Sequence, residues 1–139
     1  MVQYSIASSR TDGALNRVVM NGKPGYLGYS SVRLSYLENG WIAITGDNKE
    51  ENDVWKLLST FTLEPGTYTL TGMSGLQEKT IALQLHIEDD TGNYHYFFQY
   101  DEDVTFKIEQ KMTATLHIRV YPDIADIDVK ARPAVYKDE

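Results

Sequence analysis

The sequence predicts an all-β protein, a two-sheet antiparallel β-sandwich that is jelly-roll-like with about nine strands. Three observations predict it. Short segments alternate apolar and polar residues with a period of two, the pattern of a sheet with one buried face. Clusters of Gly, Pro, Asn and Asp separate these segments at intervals of about 8 to 12 residues. The segment Phe61-Thr62-Leu63-Glu64-Pro65-Gly66-Thr67-Tyr68-Thr69-Leu70-Thr71-Gly72 reads as strand, Pro-Gly turn and strand. Pro65 presets its own φ there, and Gly66 admits backbone angles closed to other residues.

Residues 1–17 are polar and without a clear period, which predicts an extended N-terminal arm. Residues 18–139 then form the sandwich domain. A first strand is expected over 15–20, followed by the turn cluster Asn21-Gly22-Lys23-Pro24-Gly25. Ser31 to Leu37 alternates Val32, Leu34 and Tyr36 with polar residues. Glu38-Asn39-Gly40 carries the Asn-Gly pair favoured in hairpins, and Trp41 to Thr45 is the returning strand. Val54 to Thr62 reads as a strand rather than a helix, because Trp55, Leu57, Ser59 and Phe61 share one parity. Trp41 and Trp55 are read as core residues more readily than as ligand platforms.

Thr80 to Glu88 and Tyr94 to Tyr100 form a hairpin joined by Asp89-Asp90-Thr91-Gly92-Asn93. A register that sets Ile87 opposite Tyr96 and Leu85 opposite Phe98 puts every large apolar residue on one side. A half-buried sheet favours such a register. The other side then carries Gln84, His86, Glu88, His95, Phe97 and Gln99. Val104 to Ile108 follows, then Met112 to Tyr121 with Ala114, Leu116, Ile118 and Val120 inward and His117, Arg119 and Tyr121 outward. Pro122-Asp123 breaks the strand, and 124–136 supplies the last one.

A chain of 139 residues corresponds to one domain with a core large enough to need no staples. No cysteine is present, which excludes disulfides and thiolate metal sites. The formal net charge of -7 argues against a nucleic-acid partner, which needs a basic surface. No apolar run reaches the roughly 20 residues of a membrane span, so no membrane insertion is expected. The first residues lack the basic and apolar regions of a signal peptide.

From about Val18 to Tyr136 the chain resembles a β-sandwich module of phage and prophage structural proteins of Gram-positive, often gut, bacteria. Five pieces carry the resemblance, in order: Trp41-Ile42-Ala43-Ile44-Thr45-Gly46, then Phe61 to Leu70, the aromatic strand Tyr94 to Tyr100, Val104-Thr105-Phe106, and Thr113 to Val120. The resemblance implies a carbohydrate-binding-like module of tail fibres, baseplates or head decorations, with no enzymatic activity. It implies a homo-oligomer that meets other virion proteins and a host surface glycan. The protein would be made in the bacterial host cytoplasm and reside in the virion. Members usually end a longer protein, whereas only a short arm precedes the module here. A free-standing virion protein and a piece of a longer one both fit. A cellular carbohydrate-binding module that targets a partner enzyme to polysaccharide is the alternative.

The candidate glycan-binding residues are Gln84, His86, Phe97, Gln99, Arg119 and Tyr121. Amide, imidazole and guanidinium groups bond sugar hydroxyls, and an aromatic ring stacks on the CH face of a pyranose. Phe97 is the apolar exception on that face, and a cover from a loop, the arm or a neighbouring subunit explains it more readily than a glycan does. No cofactor is expected. The acidic turns offer Asp89, Asp90, Asp101 and Asp103 as calcium ligands, although the first pair is also plain turn chemistry. His86, His95 and His117 show no paired-ligand spacing, so zinc is not expected. No carboxylate pair stands out as glycosidase machinery, and no Gly-x-Ser-x-Gly nucleophile elbow is present.

Overall fold

A computed structural model describes the backbone of Ser8–Ser9 and residues 21–138. The strand expected over 15–20 and most of the N-terminal arm lie outside the described residues. The first strands are β1 (Ser8–Ser9), β2 (Gly25–Tyr26), β3 (Arg33–Tyr36), β4 (Ile42–Asn48), β5 (Val54–Leu63) and β6 (Gly66–Thr71). They are followed by β7 (Ile81–Glu88), β8 (Tyr94–Gln99), β9 (Val104–Ile108), β10 (Met112–Val120), β11 (Ile124–Ala131) and β12 (Ala134–Lys137). Asn39 takes a left-handed φ of 59° in the 3-10 turn Glu38–Gly40 that joins β3 to β4.

The strands form three sheets, ordered β5-β10-β7-β8, β1-β12-β6-β9 and β11-β4-β3-β2. All pairings are antiparallel except the two-residue contact of β1 with β12. The chain passes from β5 across to β6, back to β7 and β8, across to β9 and back to β10. Strands far apart in sequence thus become neighbours, which is the wiring of a jelly roll. The fold is the expected all-β sandwich.

The last expected strand, 124–136, is instead two strands in two sheets. Pro133 has no N–H for a ladder, and the Arg132 N–H is drawn to the Gly72 carbonyl at 3.1 Å. Gly72, with φ 140°, lies so close that a Cβ would stand 2.7 Å from Pro133 Cα. The chain therefore leaves β11 and enters the other sheet as β12.

The inward row of β10 (Ala114, Leu116, Ile118, Val120) is fully buried, as its alternation predicts. It shares one apolar cluster with Leu34, Ile42 and Ile44 of one sheet and Leu70, Ile108 and Val135 of another. Each fully buried leucine or isoleucine contributes about 1.5–3 kcal/mol.

Two registers differ from expectation. In β5, Ser59 pairs with Leu116 but Leu57 pairs with His117, so Leu58 forms a bulge. The Leu58 carbonyl accepts the N–H groups of Asn21 and Gly22, both at 3.0 Å. Asn21 also exchanges side-chain hydrogen bonds with the Thr60 backbone. This short segment covers the free edge of β5, which would otherwise invite pairing with another chain. The bulge reverses parity: Phe61 and Leu63 point inward, whereas Trp55 and Leu57 share the outward side of their partners Arg119 and His117. Trp55 is 58% exposed and Trp41 41% exposed, so neither is a core residue.

The β7–β8 hairpin is shifted by one residue. Leu85 is opposite Phe97, His86 opposite Tyr96 and Leu83 opposite Gln99. The loop therefore holds an odd number of residues, 89–93. Asp89 shapes it, accepting at Oδ1 from Thr91 N, Thr91 Oγ1 and Asn93 N at 2.9, 2.7 and 3.0 Å. Phe97 and Gln99 consequently point inward, and Tyr94, Tyr96 and Phe98 point outward.

Candidate functional site

The outer face of the β5-β10-β7-β8 sheet brings polar and aromatic side chains together through its registers. Trp55 lies opposite Arg119, His117 opposite Gln84, and His86 opposite Tyr96. These six residues line a groove of about 430 Å³. Its floor comes from the central strands β7 and β10, and its aromatic borders come from the outer strands β5 and β8. Sequence alternation alone puts Gln84, His86, His117 and Arg119 on this face.

Tyr96, 48% exposed, stacks on His86 with ring centroids 4.9 Å apart, and Tyr94 meets the same imidazole edge-on at 5.5 Å. Arg119 donates from Nε to Asp53 Oδ2 at 2.7 Å, and its Nη2 also bonds that oxygen. Its Nη1 donates to Gln84 Oε1 at 2.9 Å. The guanidinium carbon lies 5.6 Å from the centre of the Phe98 ring and 5.0 Å from that of Tyr121. The arginine is thereby held in place at the floor.

His117 Nδ1 and His86 Nε2 are buried nitrogens without a hydrogen-bond partner among the described residues. His86 Nε2 is 3.4 Å from Glu88 Oε1 but lacks hydrogen-bond geometry. Burial, and secondarily the nearby His86, hold the pKa of His117 below its ordinary value. Buried polar atoms are normally paired, and these two nitrogens lie beneath the groove surface, so only the rest of each imidazole edge is presented to the groove.

Of the expected glycan residues, the structure gathers Gln84, His86 and Arg119. Tyr121 lies behind Arg119, and its hydroxyl is 3.0 Å from that of Tyr100. Burial, then this hydrogen bond, pushes its pKa up to about 12. Phe97 and Gln99 leave the candidate set. Phe97 stacks on Phe106 of β9, so its cover is the opposing sheet. Gln99 is fully buried because its amide finds complete backbone pairing: Oε1 accepts from Met73 N and Nε2 donates to Met73 O, both at 2.8 Å. Trp55, Tyr96 and His117 are the additions. His117 was legible from parity, while Trp55 and Tyr96 depended on the bulge and the loop length.

A depression of about 830 Å³ opens at the end of the sandwich, bordered by Asp89, Tyr94, Phe97 and Gln110. Both oxygens of Asp89 are already engaged, Oδ2 by Gln110 Nε2 at 2.9 Å. The hydrogen bond from the Thr91 hydroxyl is the main cause of a lowered Asp89 pKa. Asp89 and Asp90 precede β8 and Asp101 and Asp103 follow it, so about 20 Å of strand separates the two pairs. Asp101 Oδ1 accepts from Gly75 N at 2.6 Å. The four carboxylates do not converge, and no group of three or more His, Asp or Glu among the described residues could hold a metal ion. No helix among them is long and apolar enough to cross a membrane.

No family model and no curated protein matches this chain. Among solved structures, a chain in the crystal structure of accessory secretory protein 1,2 and 3 in Streptococcus pneumoniae aligns with a TM-score of 0.47 and 10% identity. The alignment covers 81% of this chain and 92% of that one. The likeness is too distant to bear on the groove.

Proposed function

We propose that this protein is a non-enzymatic glycan-binding module, and that the groove between Trp55 and Tyr96 is where the glycan lies. The observation that carries the reading is the pair of exposed aromatic rings on opposite strands with hydrogen-bonding side chains between them. Aromatic rings left in water carry a hydrophobic cost that a stacked sugar ring removes. Gln84, His86 and His117 supply donors and acceptors for hydroxyls. The carboxylates near the groove argue against glycoside hydrolysis. Asp53 is bound to Arg119 and Glu88 lies beside His86, and neither is among the residues that line the groove, whereas glycoside hydrolysis uses a pair of carboxyls that flank the scissile bond.

On the sequence resemblance, the module belongs to a phage or prophage particle and acts in assembly and in adhesion to host surface glycans. A cellular module that targets a partner enzyme to polysaccharide is the second reading, and the same groove serves it. Binding of purified protein to bacterial surface glycans and common polysaccharides tests the shared element. Saturable binding abolished by Trp55→Ala and by Tyr96→Ala, in folded variants, is the expected result. Binding that survives both substitutions places the site elsewhere.

A further inference from the structure

Arg119 is the one cation among the described residues that line the groove, and the fold has already matched it. Its Nε and Nη2 are committed to Asp53 Oδ2 and its Nη1 to Gln84 Oε1. Both partners of the ion pair are largely withdrawn from water, with side-chain exposures of 25% for Arg119 and 19% for Asp53. Of the other polar groups that line the groove, the Gln84 amide carries no charge and burial holds the His117 imidazole toward its neutral form. Glu88, beside His86, adds negative charge at the far end. The whole chain carries -7. A carboxylate or phosphate entering this groove would meet no unpaired cation among the lining residues, and it would face Asp53 across the same guanidinium.

Resting on the glycan-binding reading, we propose that the groove selects uncharged glycans against acidic ones, and that Asp53 sets this selectivity by occupying the face of Arg119 that an anionic sugar would use. Arg119 is then a positioning residue, holding Gln84 Oε1 so that the other end of the amide serves the ligand. Juxtaposing like charges opposes binding, so an acidic glycan is disfavoured by charge. Asp53→Asn keeps the shape and a hydrogen-bond acceptor while freeing one positive charge.

The test uses neutral polysaccharides (a glucan, a mannan, a galactan and a xylan), each paired with its carboxymethylated form, and isothermal calorimetry on the intact chain. The wild type is expected to bind at least one neutral member, with the acidic counterpart weaker by about tenfold or more. Neutral binding should hold between about 50 mM and about 500 mM salt, because no ion pair to the ligand is there to be screened. Asp53→Asn should gain affinity for the acidic form at low salt and lose that gain at high salt. Wild-type binding to the acidic form as tight as to the neutral one overturns the selectivity and leaves the glycan reading standing. Binding to neither form overturns both. The comparison of wild-type affinities and their salt dependence decides the question even if Asp53→Asn does not fold.

Discussion

Phe97 of β8 stacks on Phe106 of β9, with ring centroids 4.6 Å apart and planes inclined by 20°. The two strands belong to different sheets, so this pair closes one edge of the sandwich. Its neighbours Tyr96 and Phe98 point the other way. Adjacent residues on β8 thus divide between the packed interior and the proposed binding face.

Phe97→Ala should lower the unfolding free energy by about 3 kcal/mol, the cost of removing a packed phenylalanine. Tyr96→Ala, on the exposed face, should change it by less than about 1 kcal/mol. Urea denaturation followed by tryptophan fluorescence measures both. Equal losses would contradict the register that sets Leu85 opposite Phe97.

Gln99 should be as important to stability as a core apolar residue. Its amide closes a two-bond ring with the Met73 backbone, and Nε2 also reaches the Glu102 carbonyl at 3.3 Å. Gln99→Leu keeps the bulk but strands a buried N–H and a buried C=O. About 3 kcal/mol of destabilisation is expected. Amide exchange gives a local readout: the Met73 N–H should lose its protection in the variant before the β10 amides do.

The architecture was legible because its signals are local and repeated. The inward row of β10, the Asn-Gly turn at Asn39 and the strand assignment of β5 follow from alternation and turn chemistry. The site was only half legible. Whether Phe97 or Tyr96 faces outward depends on one loop residue, and burying every large apolar side chain is a poor guide where a glutamine is fully paired inside. The motif Asp89-x-Thr91-x-Asn93 held the missing information, since one carboxylate that accepts from Thr91 and Asn93 enforces the five-residue loop. The outward turn of Trp55 was not readable from β5 alone, because the Leu58 bulge is pinned by Asn21 and Gly22 from a distant part of the chain.

Gly22→Ala should be strongly destabilising despite its place near the surface. A Cβ there would stand 2.1 Å from the Leu57 carbonyl oxygen, which is backbone and cannot swing aside. Either the 21–22 segment leaves the edge of β5 or the bulge is lost, and with it the outward aim of Trp55. Thermal denaturation and groove binding should therefore fall together in this variant. A Gly22→Ala protein that keeps wild-type stability and binding would show that the covered edge is not what positions Trp55.

His117 gives the fold an acid sensitivity of calculable sign. Its folded pKa lies below the ordinary 6.5, chiefly from burial and then from His86. Below about pH 6.5 the unfolded chain takes up a proton that the folded groove resists, so the unfolded state binds more protons and stability falls as pH falls. The stabilisation is complete above about 6.5 and is lost as pH drops through the folded value. Gln84, His86 and Arg119 border the same groove. Urea midpoints at about pH 7.5 and about pH 5 should differ in the wild type, and the difference should shrink in His117→Gln. Stability that changes identically in wild type and His117→Gln would assign the acid response to other groups; Asp89 is not one of them, because its lowered pKa acts only below its ordinary 3.8.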